Sequence, residues 1–180
     1  FYRIKKYCLI IVVLLLDCNQ EKNNNNKSAT VVKTEESKAE TVDLIVYDYN
    51  TLEPLLNKKD GKVYVINFWA TWCAPCVKEL PYFETLNKEY QSKNVEVILV
   101  SLDFPKQYEK KLKPFIVNKN LISRVVALND VDSNTWIPKV NKDWSGAIPA
   151  TLIYKNDKRA FYEKSFNLEE LKKEVNKFLN

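Results

Sequence analysis

The segment from Val65 to Leu80 reads VINFWATWCAPCVKEL and contains two cysteines separated by two residues. The run from Lys62 to Phe68 is β-branched and aromatic, which predicts a buried strand. After the cysteines, apolar residues recur at helical spacing and predict an amphipathic helix of about 15–20 residues. These apolar residues are Val77, Leu80, Phe83, Leu86 and Tyr90. Cys73 and Cys76 are therefore expected at a strand-to-helix junction.

Two cysteines at this spacing can hold a metal, staple the fold or exchange disulfides. Structural zinc takes four Cys or His ligands, but the chain has no histidine, and its other two cysteines, Cys8 and Cys18, stand near the N-terminus. A disulfide that closes so short a loop constrains little of the unfolded chain and stabilises weakly. The free N–H groups and partial positive charge at the start of a helix favour a thiolate, and Pro75 suits the first helical turn. These properties favour redox chemistry.

The composition of the chain excludes several kinds of site. The absence of histidine removes His-based triads, general bases and metal ligands. Two glycines, Gly61 and Gly146, cannot form a Gly-rich phosphate loop or a dinucleotide motif. The net charge of +5 is mild and does not favour nucleic acid as a partner. We therefore expect no cofactor and no metal, and catalysis by cysteine and carboxylate side chains.

The N-terminal residues have the pattern of an export leader. Residues 1–7 carry three positive charges, residues 8–16 are apolar, and a polar run begins at Asp17. As a helix the apolar run would extend only about 14 Å, too short for a bilayer core of about 30 Å. Residues 19–42 are polar, Asn-rich and aperiodic, which predicts a disordered linker. We expect a leader over 1–18, a linker over 19–42 and a folded domain over 43–180.

Strand and helix patterns alternate through the folded domain. Further strands are predicted over Leu44–Tyr47, Val95–Leu102, Arg124–Leu128, Ala150–Tyr154 and Arg159–Glu163, with a turn at 156–157 joining the last two. Further helices are predicted over Thr51–Lys59, over Pro105–Asn120 with an interruption at Pro114, over Asn134–Val140, and after Asn167, which can cap the last helix. This order predicts an α/β fold with a mixed sheet.

The segment around the two cysteines resembles the thioredoxin-like family. Within that family, VINFWATWCAPCVKELPYFETL is most similar to the membrane-anchored TlpA/ResA-type thiol-disulfide oxidoreductases, and the similarity covers about residues 43–180. The resemblance implies a thioredoxin fold, with a central mixed sheet flanked by helices and a helical insertion. It also implies that Cys73 attacks a substrate disulfide and that Cys76 resolves the resulting mixed disulfide.

The resemblance assigns further residues to the site. Pro149, in the stretch SGAIPAT, matches the proline that thioredoxins hold in the cis form opposite the cysteines. Glu79, three residues after Cys76, matches a glutamate of the TlpA/ResA type, and partial burial would raise its pKa into the working range. Asn67 replaces the buried aspartate of common thioredoxins, so that proton route is absent. The substrate groove is expected to include Trp72, Pro75, Trp144, Ile148 and Pro149, whereas Trp136 is expected in the core.

The leader also resembles a bacterial lipoprotein signal. Leu15-Leu16-Asp17-Cys18 places a leucine three residues before a cysteine, although Asp17 stands where a small residue is usual. The resemblance implies lipid attachment at Cys18 and a location outside the cytoplasm, with the membrane bound through the N-terminus only. The expected partners are disulfide-containing exported proteins, with apocytochrome c as one candidate, and a membrane thiol that donates electrons.

Other functions remain open on the same fold. A thiol peroxidase would need a threonine three positions before its reactive cysteine, but Ala70 stands there before Cys73. Oxidases and isomerases often have histidine between the cysteines, whereas Ala74-Pro75 resembles reductive members, as does Ile148 before Pro149. A non-catalytic binding module would use the groove without needing both cysteines.

Overall fold

A six-stranded mixed sheet lies at the centre of the structure, a computed structural model that describes residues 42–179. The predicted leader, Cys18 and all but the last residue of the predicted linker lie outside the described residues. The strands are β1 (Ile45–Tyr47), β2 (Val63–Trp69), β3 (Val95–Ser101), β4 (Arg124–Leu128), β5 (Ala150–Lys155) and β6 (Lys158–Tyr162). Their order in the sheet is β1-β4-β3-β2-β5-β6. The first four strands of this order run parallel. Strand β5 pairs antiparallel with β2, and β6 pairs antiparallel with β5.

Helices cover both faces of this sheet. They are α1 (Tyr49–Leu52), which a 3-10 turn (Glu53–Leu56) follows, α2 (Ala74–Tyr90), α3 (Lys113–Asn118), α4 (Ser133–Val140) and α5 (Leu168–Asn176). The predicted helical insertion lies between β3 and β4, where a 3-10 turn (Pro105–Gln107) and a π-helical turn (Tyr108–Leu112) precede α3. Pro114 lies in the first turn of α3, which a proline tolerates. The predicted fold class is confirmed.

Strand β2 is the centre of the core, and all seven of its residues are buried. Its side chains alternate between the two faces of the sheet, as the period of a strand requires. Val63, Val65 and Trp69 pack with apolar residues of α2, α5 and the insertion. Tyr64, Ile66 and Phe68 pack with those of α1 and α4 on the opposite face. A strand buried on both faces explains the continuous apolar run that the sequence shows before the cysteines.

Helix α2 starts at the cysteine pair because of local backbone chemistry. Cys73 is its N-cap in extended conformation, and Pro75 occupies the first turn, where its missing N–H removes no helical hydrogen bond. The helix continues through Pro81 to Tyr90. Among residues 42–179, no helix is both long and apolar enough to cross a membrane.

The last helix, α5, has the cap that the sequence predicts. Asn167 accepts a hydrogen bond from the backbone N–H of Glu170 at 2.9 Å, and Glu170 accepts one from the backbone N–H of Asn167 at 3.3 Å. This reciprocal pair is a capping box.

We expect Asn167→Ala to lower the free energy of unfolding by about 1 kcal/mol, because the cap hydrogen bond is lost. Urea denaturation of the full chain measures this change. Asn176→Ala, at the other end of α5, is the matched control and should leave the stability unchanged or slightly increased, since alanine favours helix. Equal losses in both variants would contradict the capping role of Asn167.

Candidate active site

The two cysteines form a disulfide at the N-terminus of α2, with their Cα atoms 5.3 Å apart. Cys73 is 6% exposed and Cys76 is fully buried. The backbone N–H of Cys76 donates to Sγ of Cys73 at 3.3 Å. When the disulfide is reduced, this N–H and the helix terminus favour negative charge on the Cys73 sulfur. The more accessible cysteine is thus also the one that the backbone stabilises as a thiolate.

A cis peptide bond between Ile148 and Pro149 lies beside this sulfur, which confirms the predicted cis proline. The carbonyl oxygen of Ile148 is 3.7 Å from Sγ of Cys73. Strand pairing causes this closeness, because the end of β2 pairs with the start of β5, with Phe68 opposite Ala150. The loops that carry Cys73 and Pro149 therefore meet at one edge of the sheet.

The predicted groove residues divide into surface and core. Trp72 is 56% exposed, Pro75 is exposed and Ile148 is half-buried, so these three can face a substrate. Pro149 is buried.

Trp144 does not line the surface, and its prediction as a groove residue needs correction. It is 5% exposed, and its ring centroid lies 4.8 Å from that of Phe68 and 5.5 Å from that of Trp136. Its indole N–H donates to the carbonyl of Ala147 at 2.8 Å. Trp144 is thus a core residue that holds the cis-proline loop from beneath. Trp136 is in the core, as predicted.

Glu79 is a buried carboxyl group on the same helix as the cysteines. It is 2% exposed, with two hydrogen bonds to its oxygens. The Nδ2 of Asn67 donates to Oε1 at 3.1 Å, and the backbone N–H of Phe166 donates to Oε2 at 2.7 Å. Burial raises the pKa of Glu79 from 4.5 to about 7, against the opposing effect of these two donors. Glu79 can therefore exchange a proton near neutral pH.

Asn67 can pair with either protonation state of this carboxyl. Its Nδ2 donates to Glu79 and, at 3.2 Å, to Oγ1 of Thr151. Its Oδ1 is buried and has no partner within residues 42–179. A half-turn of the amide would present Oδ1 to Glu79, and this oxygen accepts a hydrogen bond from a protonated carboxyl. Asn67 thus cannot titrate itself, but it can follow the titration of Glu79.

A surface pocket of about 370 Å³ provides a route from Glu79 to solvent. It lies between α2 and the start of α5 and is lined by Pro75, Lys78, Glu79, Tyr82, residues 165–167 and Glu170. Water in this pocket can deliver or remove the proton of Glu79. Within residues 42–179, no group of three or more Cys, Asp or Glu side chains could hold a metal ion.

Sequence reasoning missed a second buried carboxyl group, that of Asp103, which fixes the loop before the cysteines. Asp103 is 2% exposed. Its carboxylate accepts hydrogen bonds from the backbone N–H of Thr71 at 3.0 Å, from the Thr71 hydroxyl at 2.5 Å and from the Ser101 hydroxyl at 2.8 Å. Asp103 directly follows the predicted strand Val95–Leu102, where a polar side chain can lie at the edge of the sheet that carries the active site. Its position was the only feature of the sequence that indicated this role.

Comparison with known proteins places the chain in a family. Residues 36–159 match the AhpC/TSA family. The chain belongs to this family. The match includes both cysteines, Glu79, Asp103 and Pro149.

Curated relatives share part of the chain. The thiol-disulfide oxidoreductase ResA of Oceanobacillus iheyensis is 48% identical over 56 residues, which are 31% of this chain and 28% of the relative. ResA of Bacillus cereus is 36% identical over 88 residues, 44% of this chain and 50% of the relative. The chain thus matches half or less of the length of these two relatives.

Solved structures agree on the fold. A thioredoxin family thiol:disulfide interchange protein from Chlorobium tepidum has a TM-score of 0.56 at 20% identity and covers 67% of this chain and 81% of its own. StoA from Bacillus subtilis has a TM-score of 0.51 at 25% identity, with 64% and 83% covered. This AhpC/TSA family member therefore has a thioredoxin fold, as the resemblance of its cysteine motif implied.

We expect burial of Glu79 to make stability pH-dependent. The pKa of Glu79 is higher in the folded state than in the unfolded state. Between pH 4.5 and about 7 the folded state therefore binds more protons than the unfolded state, and the free energy of unfolding falls as pH rises. Relative to Glu79→Gln, the oxidised wild type should lose roughly 2–3 kcal/mol across this window, at about 1.4 kcal/mol per pKa unit. Urea denaturation at a series of pH values measures the difference.

Glu169→Gln, which removes an exposed carboxylate from α5, is the control for loss of charge. A pH-independent difference between wild type and Glu79→Gln would contradict the raised pKa of Glu79.

We expect Asp103→Ala to destabilise the protein by about 2–3 kcal/mol, because buried donors of Thr71 and Ser101 lose a charged acceptor. Denaturation monitored by tryptophan fluorescence measures the loss, and Trp72 should report a more mobile loop. Asp143→Asn, at an exposed site, should change neither quantity. A stable Asp103→Ala variant with unchanged fluorescence would show that Asp103 does not fix the loop.

Proposed function

We propose that this chain is a thiol-disulfide oxidoreductase that reduces disulfides of exported proteins through Cys73 and Cys76. One observation carries the proposal: the Cys73–Cys76 disulfide starts α2 beside the cis-proline loop, and a buried carboxyl group, Glu79, lies one turn further along the same helix. The similarity to ResA proteins, which are named thiol-disulfide oxidoreductases, supports it.

The proposed reaction begins from the dithiol form. The Cys73 thiolate attacks one sulfur of the substrate disulfide, and the other substrate sulfur leaves and takes up a proton. The Cys76 thiolate then attacks Sγ of Cys73 in the mixed disulfide. This step forms the Cys73–Cys76 disulfide and releases the second substrate thiol. Two electrons have passed to the substrate, and a membrane thiol donor would restore the dithiol.

Glu79 can assist the second step, in which the Cys76 thiol must lose its proton. Cys76 is fully buried, and burial disfavours the thiolate that this step requires. Glu79 follows Cys76 by three residues, so both side chains lie on one face of α2. With a pKa of about 7, the Glu79 carboxylate can accept the proton of Cys76 near neutral pH and release it through the pocket beside α5.

The groove beside Cys73 suits an extended polypeptide. Trp72 and Pro75 are exposed next to the disulfide, and the backbone before Pro149 approaches the sulfur. An extended chain can pair with exposed backbone groups along a strand edge or loop of this kind. The dipeptide Ala74-Pro75 favours the reductive direction.

The sequence of the N-terminus supports a location outside the cytoplasm. The leader pattern of residues 1–18 and the cysteine at position 18 favour tethering by a lipid on Cys18, with residues 19–42 as the spacer. Exported proteins, apocytochrome c among them, and a membrane electron donor would then be within reach of the domain.

With dithiothreitol as the electron donor, we expect the full chain to catalyse reduction of insulin disulfides and Cys73→Ser to abolish this catalysis, because the attacking sulfur is removed. Glu79→Gln should lower the rate about 100-fold or more, the usual contribution of a general base, and should remove the rise in rate near pH 7. Glu169→Gln is the matched control. Turbidity of precipitating insulin chains measures the rate.

Cys76→Ser should trap the substrate on Cys73 as a mixed disulfide that mass spectrometry identifies. Undiminished insulin reduction by Cys73→Ser would contradict the mechanism and favour a binding module. Faster turnover of hydrogen peroxide than of insulin would favour a thiol peroxidase.

A further inference from the structure

The helical insertion carries most of the excess positive charge of the protein. Residues 105–119 contain five lysines and one glutamate, a net charge of +4 in a chain whose total is +5. Within residues 42–179, the glutamate, Glu109, pairs with Lys113 at 2.6 Å. Lys106, Lys110 and Lys111 are exposed and form no ion pair in that range. These three lysines, close together at the start of the segment, are thus available to a partner.

This segment forms a pocket together with the cysteine motif. Thr71, Trp72, Lys111, Pro114, Phe115 and Asn118 line a concave surface of about 310 Å³, named here the lysine–tryptophan pocket. Trp72 directly precedes Cys73, so one wall of the pocket is next to the attacking cysteine in the chain. Its walls are fixed: the ring of Phe115 lies 5.5 Å from that of buried Trp69, and Thr71 is hydrogen bonded to Asp103.

Two aromatic side chains are exposed, one lining this pocket and one at the start of the insertion. Trp72 is 56% exposed, and Phe104, at the entry to the insertion, is 65% exposed. An aromatic side chain beside lysines can cover the apolar part of a peptide while the ammonium groups meet its charges. A flat anionic membrane would engage the lysines without needing a concave surface next to Cys73. The combination therefore favours a polypeptide with negative charge.

We propose that the lysine–tryptophan pocket binds an acidic, extended segment of the protein whose disulfide Cys73 reduces. The proposal rests on the proposed function, and it adds the substrate class: disulfides flanked by aspartate or glutamate. Charge complementarity next to the reacting sulfur speeds encounter and favours matching partners over basic ones.

Turnover of two disulfide peptides, identical except for Asp or Lys residues beside the cysteines, tests the preference in the full chain, with neutral dithiothreitol as the electron donor. At low ionic strength we expect kcat/KM to be about 3- to 10-fold higher for the acidic peptide, from two or three exposed charge pairs. Added salt should lower the ratio of the two kcat/KM values towards one. Lys111→Glu should remove the preference for the acidic peptide or invert it.

Lys88→Glu is the matched control, since Lys88 is exposed on α2 about 18 Å along the helix from Cys76 at 1.5 Å per residue. It should keep the wild-type ratio. Equal kcat/KM for both peptides, or an equal loss of preference in Lys88→Glu, would overturn the proposal.

A second measurement separates docking from redox chemistry. A fluorescent acidic peptide without cysteine should bind the wild type and Lys88→Glu, and should bind Lys111→Glu more weakly, as fluorescence anisotropy reports. Bis(2-hydroxyethyl) disulfide is a neutral substrate, and failure of the wild type to reduce it would contradict the proposed function. Anisotropy of the acidic peptide would still test the docking proposal in that case. Binding to phosphatidylglycerol vesicles without binding to the acidic peptide would overturn it and assign the lysines to a membrane surface.

Discussion

The burial of the Glu79 carboxyl group connects the parts of this protein that matter for its chemistry. Asn67 of β2 and the backbone N–H that precedes α5 donate to its two oxygens, so a central strand, the cysteine helix and the last helix meet at one group. A carboxylate taken from water is costly, and the two hydrogen bonds offset only part of that cost. The remainder appears as a raised pKa, with which Glu79 can exchange a proton near neutral pH, as the proposed mechanism requires.

The same sheet that buries Glu79 also aligns the reacting groups. Because β2 runs into the cysteine loop and pairs antiparallel with β5, the loop with Pro149 returns to the same edge. Trp144 supports that loop from the core, and Asp103 holds Thr71 in front of Cys73. The exposed surface beside Cys73 is thereby built on rigid elements, and binding a substrate chain there requires little reordering of the protein.

Local patterns were enough to predict the elements, the cysteine junction and the cap of α5, since each depends on residues close in sequence. The resemblance of the cysteine segment added the thioredoxin fold and the cis bond before Pro149. Features that depend on contacts between distant residues could not be predicted. They include the position of β4 between β1 and β3 and the hydrogen bond between Asp103 and Thr71, which are 32 residues apart in sequence. The prediction of Trp144 as a groove residue was wrong because the sequence around an aromatic residue near a site loop does not distinguish a core position from a surface position.

The decisive experiment is a site-specific carbon-13 NMR titration of the Glu79 carboxyl group, carried out on both the oxidised and the reduced full chain. It tests whether Glu79 titrates near neutral pH and is coupled to the cysteine pair. We predict a midpoint near pH 7 in the oxidised protein and a different midpoint once the Cys73–Cys76 disulfide is reduced, because Glu79 and Cys76 share a face of α2. A midpoint near 4.5, the ordinary value, or a midpoint that does not change with the redox state of the cysteines, would contradict it.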